Sequence, residues 1–158
     1  MENSKDIEDA SLRNSMVQLL LRHDANLAEH FLYWVKRNWL KEGQAQAFLD
    51  AGANPSVSDS NGVTPLHMNV FFAKILTAAS SEKKNLFENI TTLVLAGADL
   101  TAKTTADLTN GEEAGFPLFD EVLPGGLTPM QVAETVGWEP FRDKVVAHLT
   151  AAIALRAL

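Results

Sequence analysis

The chain contains no cysteine. That excludes a disulfide framework and a thiolate metal site, and it fits a reducing compartment. Long apolar runs are missing too: none approaches the roughly 20 residues a membrane helix needs, so no membrane attachment is expected. Basic side chains are few, with 13 Lys and Arg against 20 Asp and Glu, a net charge of −7. Nucleic-acid binding relies on cations facing phosphates, and this balance argues against it. The small basic clusters, Lys36, Arg37 and Lys41 and the pair Lys83 and Lys84, read as solvated helix faces. The opening MENSKDIEDAS is polar and acidic, the opposite of a secretory signal. A cytoplasmic protein is expected.

What remains is 46% hydrophobic and 21% charged over 158 residues, which suits one folded domain rather than a disordered chain. Within it one block stands out, SNGVTPLHMNV at 60–70. Thr64 fits a helix N-cap, and Pro65 fits the first helical position, where a missing N–H costs nothing. Gly62 supplies a turn, and His67 occupies the position from which a capping-box Glu or Gln reaches back. The block returns as GLTPMQVA at 126–133, with Gly126, Thr128, Pro129 and a literal capping-box Gln131. A second signature recurs as LDAGAN at 49–54 and VLAGAD at 94–99, each with a glycine, Gly52 or Gly97, ending an apolar helical stretch. The order is helix, glycine stop, hairpin-like turn, Thr-Pro start, helix.

From about Ala45 to Leu149 this grammar resembles the ankyrin-repeat family, whose unit is a β-turn and two helices repeating about every 33 residues with a T-P-L-H-x-A helix start. TPLH is matched outright at Thr64–His67, and Ala133 and Gly137 also fit. The resemblance implies an all-α ankyrin-repeat solenoid of about three helix pairs joined by β-turn or hairpin connections. Residues 1–44 read as an N-terminal helical cap or degenerate repeat, 45–103 and 104–149 as the repeat region, and 150–158 as the end of a C-terminal capping helix, all in a single domain over 1–158. For His67 the resemblance implies hydrogen bonding that ties neighbouring turns, with Thr64 as its local partner.

Three departures matter. Asn69 replaces the family's small alanine, so the first helix of that repeat carries a polar contact or packs unusually. Thr64 to Gly97 spans 33 residues where the pattern needs about 21, an excess placed near 74–85 around AASSEKKN. Gly97 to Gly126 spans 29 residues where Gly52 to Gly62 spans ten, a nineteen-residue insertion within 104–125. That segment holds Asp107, Glu112, Glu113, Asp120 and Glu121 and no Lys or Arg, with Phe116, Pro117, Leu118 and Phe119 between the acidic pairs. Two readings stay open: a solvated excursion whose FPLF folds back, or an acidic arm with an apolar anchor.

Outside the repeats, Leu12, Met16, Leu19, Leu20 and Leu21 fall at helical spacing after Ser11. A helix over 27–40 carries Phe31, Leu32, Tyr33, Trp34, Val35, Trp39 and Leu40 and reads as core, with Tyr33 the exposed exception. The last helix, from about Pro140, turns Phe141, Val145, Leu149, Ala152 and Ile153 inward; it either folds over the stack, the preferred reading, or offers a weak oligomer surface.

Motifs for chemistry are not found. The histidines, His23, His30, His67 and His148, show no HExxH or paired metal spacing, and no phosphate loop or nucleophile elbow appears. No enzyme, metal or cofactor is expected. The leading reading is a non-catalytic module that binds a protein partner, basic by charge complementarity, and is a monomer on its own. By resemblance its surface comprises Ser58, Ser60, Asn61, Val63, Phe71, Phe72, Leu127 and Thr135; the insertion adds Glu112, Glu113, Phe116, Phe119, Asp120 and Glu121. The alternative is a dedicated inhibitor of a toxin or effector enzyme, of the bacterial immunity protein or antitoxin kind. An enzyme would need a site assembled from scattered histidines and carboxylates.

Overall fold

The computed structural model describes residues 11–12, 15–16, 18–37, 40–41, 43–75, 80–108, 122–135 and 139–158. It is mostly helical, and among the described residues there is no strand, only an isolated antiparallel bridge between Leu108 and Leu123. Helical backbone at 11–12, 15–16 and 18–22 precedes six helices. These are α1 (Leu27–Lys36), α2 (Gln44–Asp50), α3 (Pro65–Ile75), α4 (Ser80–Leu95), α5 (Pro129–Glu134) and α6 (Glu139–Arg156).

Several boundaries have a local cause. Asp24 accepts the Asn26 N–H at 2.8 Å and bonds the His30 ring, organising the turn into α1. α1 stops at Lys36 rather than running to 40, and Leu40 is buried in the core. α2 ends in a paired cap in which Ala53 N–H donates to Phe48 O (2.9 Å) and Gly52 N–H to Leu49 O (3.0 Å). α4 ends the same way, Ala98 to Leu93 (3.0 Å) and Gly97 to Val94 (3.1 Å). This is the Schellman arrangement, with glycine in the left-handed region at φ 102° and 97°.

The helices form two layers. α3 touches α1 on one side and α5 on the other; α4 touches α2 and α6. The layers meet where α3 packs on α4 and α5 on α6. Phe31 stacks on Phe48 at 5.1 Å between ring centres, and Trp34 meets Phe48 edge-on at 5.6 Å, closing the N-terminal part of the core. Leu66, Val70, Leu86, Ile90, Leu93 and Val94 fill its centre, and Val132, Val145 and Leu149 its far end.

The excess length between Thr64 and Gly97 is spent at least partly on helix: residues 80–85 are the first turns of the 16-residue α4. Asn69, buried in α3, donates to Pro65 O at 2.9 Å and faces Asn89 of α4 at 3.5 Å, which gives that departure its polar contact. In α6, Val145, Leu149 and Ala152 are buried and Ile153 packs against the core, while Leu155 and Leu158 are exposed. Arg156 donates to Ala98 O at 2.7 Å, fastening the end of α6 to the cap of α4. The side chains of Trp39, Trp138 and Phe141 lie outside what is described.

Candidate functional site

The two Thr-Pro starts are the entrances to α3 and α5, and they share a frame of hydrogen bonds. At the first, Asp59 N–H donates to Val63 O (3.1 Å) and Gly62 N–H to Asp59 O (3.1 Å). At the second, Thr104 N–H donates to Leu127 O (3.1 Å) and Gly126 N–H to Thr104 O (2.7 Å). Side chains repeat as well: Val63 N–H reaches Asp59 Oδ1 at 3.0 Å, and Leu127 N–H reaches Thr104 Oγ1 at 3.4 Å. Upstream, Asn54 Oδ1 accepts from Ser56 N–H (2.9 Å) as Asp99 Oδ1 accepts from Thr101 N–H (2.8 Å).

The equivalence locates the insertion. Between Asp59 and Gly62 stand two residues, and between Thr104 and Gly126 stand 21, a difference of nineteen confined to the turn tip. Its base is not a solvated excursion. Leu108 and Leu123 exchange both backbone hydrogen bonds (2.8 and 3.0 Å) and bury their side chains in the core. Glu112, Glu113, Phe116, Phe119, Asp120 and Glu121 lie outside the described residues. The two turns also touch: Thr105 N–H donates to Asn61 O at 2.8 Å, and Asp99 N–H to Ser56 Oγ at 2.8 Å.

At the second helix start, Thr128 Oγ1 accepts Gln131 N–H (3.2 Å) and Gln131 Oε1 accepts Thr128 N–H (2.9 Å), a full capping box with Pro129 behind it. His67 does the same work with a ring. Its N–H donates to Thr64 Oγ1 (3.3 Å), while its Nδ1 accepts Thr64 N–H (3.2 Å) and sits 2.8 Å from Thr64 Oγ1. The opposite nitrogen, Nε2, lies 2.9 Å from Leu127 O, 60 residues away. An amide donor at Nδ1 and a carbonyl acceptor at Nε2 require the neutral Nε2–H tautomer. Burial drives the ring's pKa below its ordinary 6.5, outweighing the carbonyls of Leu127 and Ala102 that favour the charged form.

Asp59 anchors the first turn on three sides. It pairs with Lys36 of α1 and accepts from Asn61 N–H (2.8 Å) and Val63 N–H. Partial burial works to raise its pKa, but the Lys36 ammonium and the two amides hold it below the ordinary carboxylate value.

The turn edge keeps part of the expected surface and loses part. Ser58, Ser60 and Asn61 are exposed, and Leu127 and Thr135 are half-buried. Val63, Phe71 and Phe72 are not available: the two phenylalanines are 0% exposed. Their helix is the central one, in contact with α1, α4, α5 and α6, and its described side chains, 65–73, are all buried. Lys103, Thr105 and Asp107 are exposed at the same edge, brought there by the turn pairing rather than by any motif.

His23 and His30 are exposed, whereas His148 is held against its neighbours. His148 directs Nε2 at Phe87 O (2.8 Å) and Thr91 Oγ1 (2.8 Å), with its ring 4.8 Å from that of Phe87. Among the described residues no three His, Asp or Glu side chains stand close enough together to hold a metal ion. No described helix is long and apolar enough to cross a membrane. No protein-family model matches the sequence, and no curated protein matches it significantly.

Proposed function

We propose that the chain is an ankyrin-type repeat stack acting as a non-catalytic protein-binding module, with the turn edge as its binding surface. The observation that carries this reading is the duplicated turn, whose backbone and side-chain hydrogen bonds recur around a tip of two residues in one copy and 21 in the other. A buried frame repeated with variable tips is a scaffold presenting loops, and binding residues concentrate on loops held by such scaffolds. His67 and His148 support the non-catalytic part, since each directs a ring nitrogen at a backbone carbonyl inside the stack.

The partner is a protein with a basic surface. The 104–125 segment carries five of the chain's 20 acidic side chains and no Lys or Arg, so long-range attraction accelerates encounter. An inhibitor of a basic enzyme is the narrower form of the same reading, favoured by that charge alone.

Affinity capture tests it. The intact chain is compared with one carrying Ser58→Arg, Ser60→Arg and Asn61→Arg, and with one in which Glu112, Glu113, Asp120 and Glu121 are all neutralised. The arginine variant loses a captured protein at unchanged melting temperature, and the neutralised one associates with it more slowly and with a flatter salt dependence. An identical set of captured proteins for all three chains sinks the turn edge as the binding surface.

A further inference from the structure

The first helix-entry turn has its hydrogen-bonding edge covered by the second. Asn61 O accepts Thr105 N–H and Ser56 Oγ accepts Asp99 N–H, both at 2.8 Å. The groups in the same register on the second turn are Gly125 O, just before Gly126 as Asn61 is before Gly62, and Thr101 Oγ1, two residues after Asp99 as Ser56 is after Asn54. A trans peptide unit aims its carbonyl opposite to its N–H. Gly126 N–H is turned onto Thr104 O as Gly62 N–H is onto Asp59 O, so Gly125 O points onward along the stack as Asn61 O does. Among the described residues no donor reaches Gly125 O, and Thr101 Oγ1 donates to Asp99 Oδ1 (2.7 Å) while accepting nothing. Gln131, standing where His67 stands in the first copy, spends its side-chain oxygen on Thr128 N–H and leaves its amide N–H groups exposed.

We infer that the second turn docks an extended polypeptide segment of the protein partner, whose backbone N–H groups, spaced as those of Asp99 and Thr105 are, donate to Thr101 Oγ1 and Gly125 O. A carbonyl of the same segment accepts from Gln131, as Leu127 O accepts from His67. This rests on the protein-binding reading and names the form the partner takes at that edge. The stack itself selects the occupant: backbone from Asp99 to Thr105 covers the first edge, and the second edge repeats the same acceptors in the same frame. A further helical repeat is not called for. Over α5 and the described part of α6 as far as Thr150, the exposed side chains are Gln131, Glu134, Asp143, Lys144, Ala147 and Thr150, the polar outer face that closes a stack. Open backbone at an edge is what strand addition uses, with main-chain bonds supplying the affinity. Proline at either donor position of the segment removes the N–H and abolishes the match.

Amide nuclear magnetic resonance of the intact chain tests it, with a synthetic peptide of residues 97–107 as the probe, because that segment fills the first edge. Titration to millimolar concentration is expected to shift Thr101, Gly125, Gly126 and the Gln131 side-chain amide saturably, and to leave Ser56 and Asn61 unmoved. N-methylating the peptide at its Asp99 or Thr105 position abolishes the shifts. N-methylating it at Lys103, whose N–H bonds nothing among the described residues, does not. Thr101→Val removes one acceptor, keeps the shape and weakens binding about fivefold, the worth of one hydrogen bond, with the rest of the amide spectrum unchanged. No shift, shifts at Ser56 and Asn61 instead, or shifts that survive N-methylation at both donor positions overturns the inference. Its failure is separate from that of the binding reading, because Ser58→Arg, Ser60→Arg and Asn61→Arg leave Gly125 and Thr101 in place. If those arginines lose the captured protein while the peptide does not dock, this inference alone falls; if the peptide docks and the captured set is unchanged, the binding reading alone falls.

Discussion

The two helix-entry turns share a hydrogen-bonded frame and differ in almost everything attached to it. The 59–67 turn is short, its tip is polar, and its capping residue is a buried histidine that also reaches the other turn. The 104–131 turn is long, its base is apolar through Leu108 and Leu123, and its capping residue is an exposed glutamine that serves only its own helix among the bonds shown. The difference teaches which parts are structural. What recurs is the backbone pairing and the reciprocal cap, so these hold the fold. What varies is the tip, which the fold therefore tolerates.

The sharpest way to break this comparison is at the base of the long turn. If the insertion is rooted in the core, Leu123→Ala destabilises by about 2–5 kcal/mol, the usual cost of a buried leucine. Asn61→Ala at the exposed short tip changes stability by roughly 0.5 kcal/mol or less. Urea unfolding of both variants decides it, and similar values for the two would dissolve the distinction between root and tip.

Next come the equivalent glycines. Both have left-handed backbone, φ 71° at Gly62 and 87° at Gly126. A Cβ on Gly62 would meet Lys103 O at 2.6 Å, whereas nothing lies within 4 Å of one on Gly126. Gly126→Ala therefore carries only conformational strain, about 1 kcal/mol. Gly62→Ala adds a backbone clash between the turns and costs about 3 kcal/mol, near the upper end of mutational losses. Equal losses of melting temperature would mean that the turns are not in contact there.

Much of this frame was legible in the sequence because its causes are local. Thr64-Pro65 and Thr128-Pro129 start helices by capping, Gly52 and Gly97 stop them by adopting left-handed backbone, and the nineteen-residue excess is a matter of counting. What sequence could not decide is which face of a helix finds neighbours. Phe71 and Phe72 read as solvent-facing, but α3 is covered on several sides by helices distant in the chain. Leu12, Met16, Leu19 and Leu20 follow the same helical spacing as core leucines, yet they face outward because no described element packs over them. The Lys36–Asp59 pair joins residues 23 apart that no motif connects.

A smaller effect than a Cβ on Gly62 concerns the capping residues themselves. His67→Gln exchanges the first cap for the type used at the second turn. It keeps the Thr64 contact and loses the bond to Leu127 O, which still accepts from Thr104 N–H, for a net cost of about 1 kcal/mol. The variant also changes pH dependence. Because the folded-state pKa of His67 lies below 6.5, the unfolded chain binds the extra proton first, and stability falls as pH drops from about 6.5 toward the folded value. That contribution is absent in His67→Gln, so unfolding free energies of the two proteins converge as the pH is lowered through this window.

The most direct test of the shared frame is nuclear magnetic resonance of the His67 ring at neutral pH. The account predicts a neutral imidazole protonated at Nε2, with a scalar coupling through the hydrogen bond to the Leu127 carbonyl carbon. A ring protonated at Nδ1, a charged imidazolium, or no coupling to Leu127 would contradict it, because the ring would then not both cap its own helix and bond the second turn.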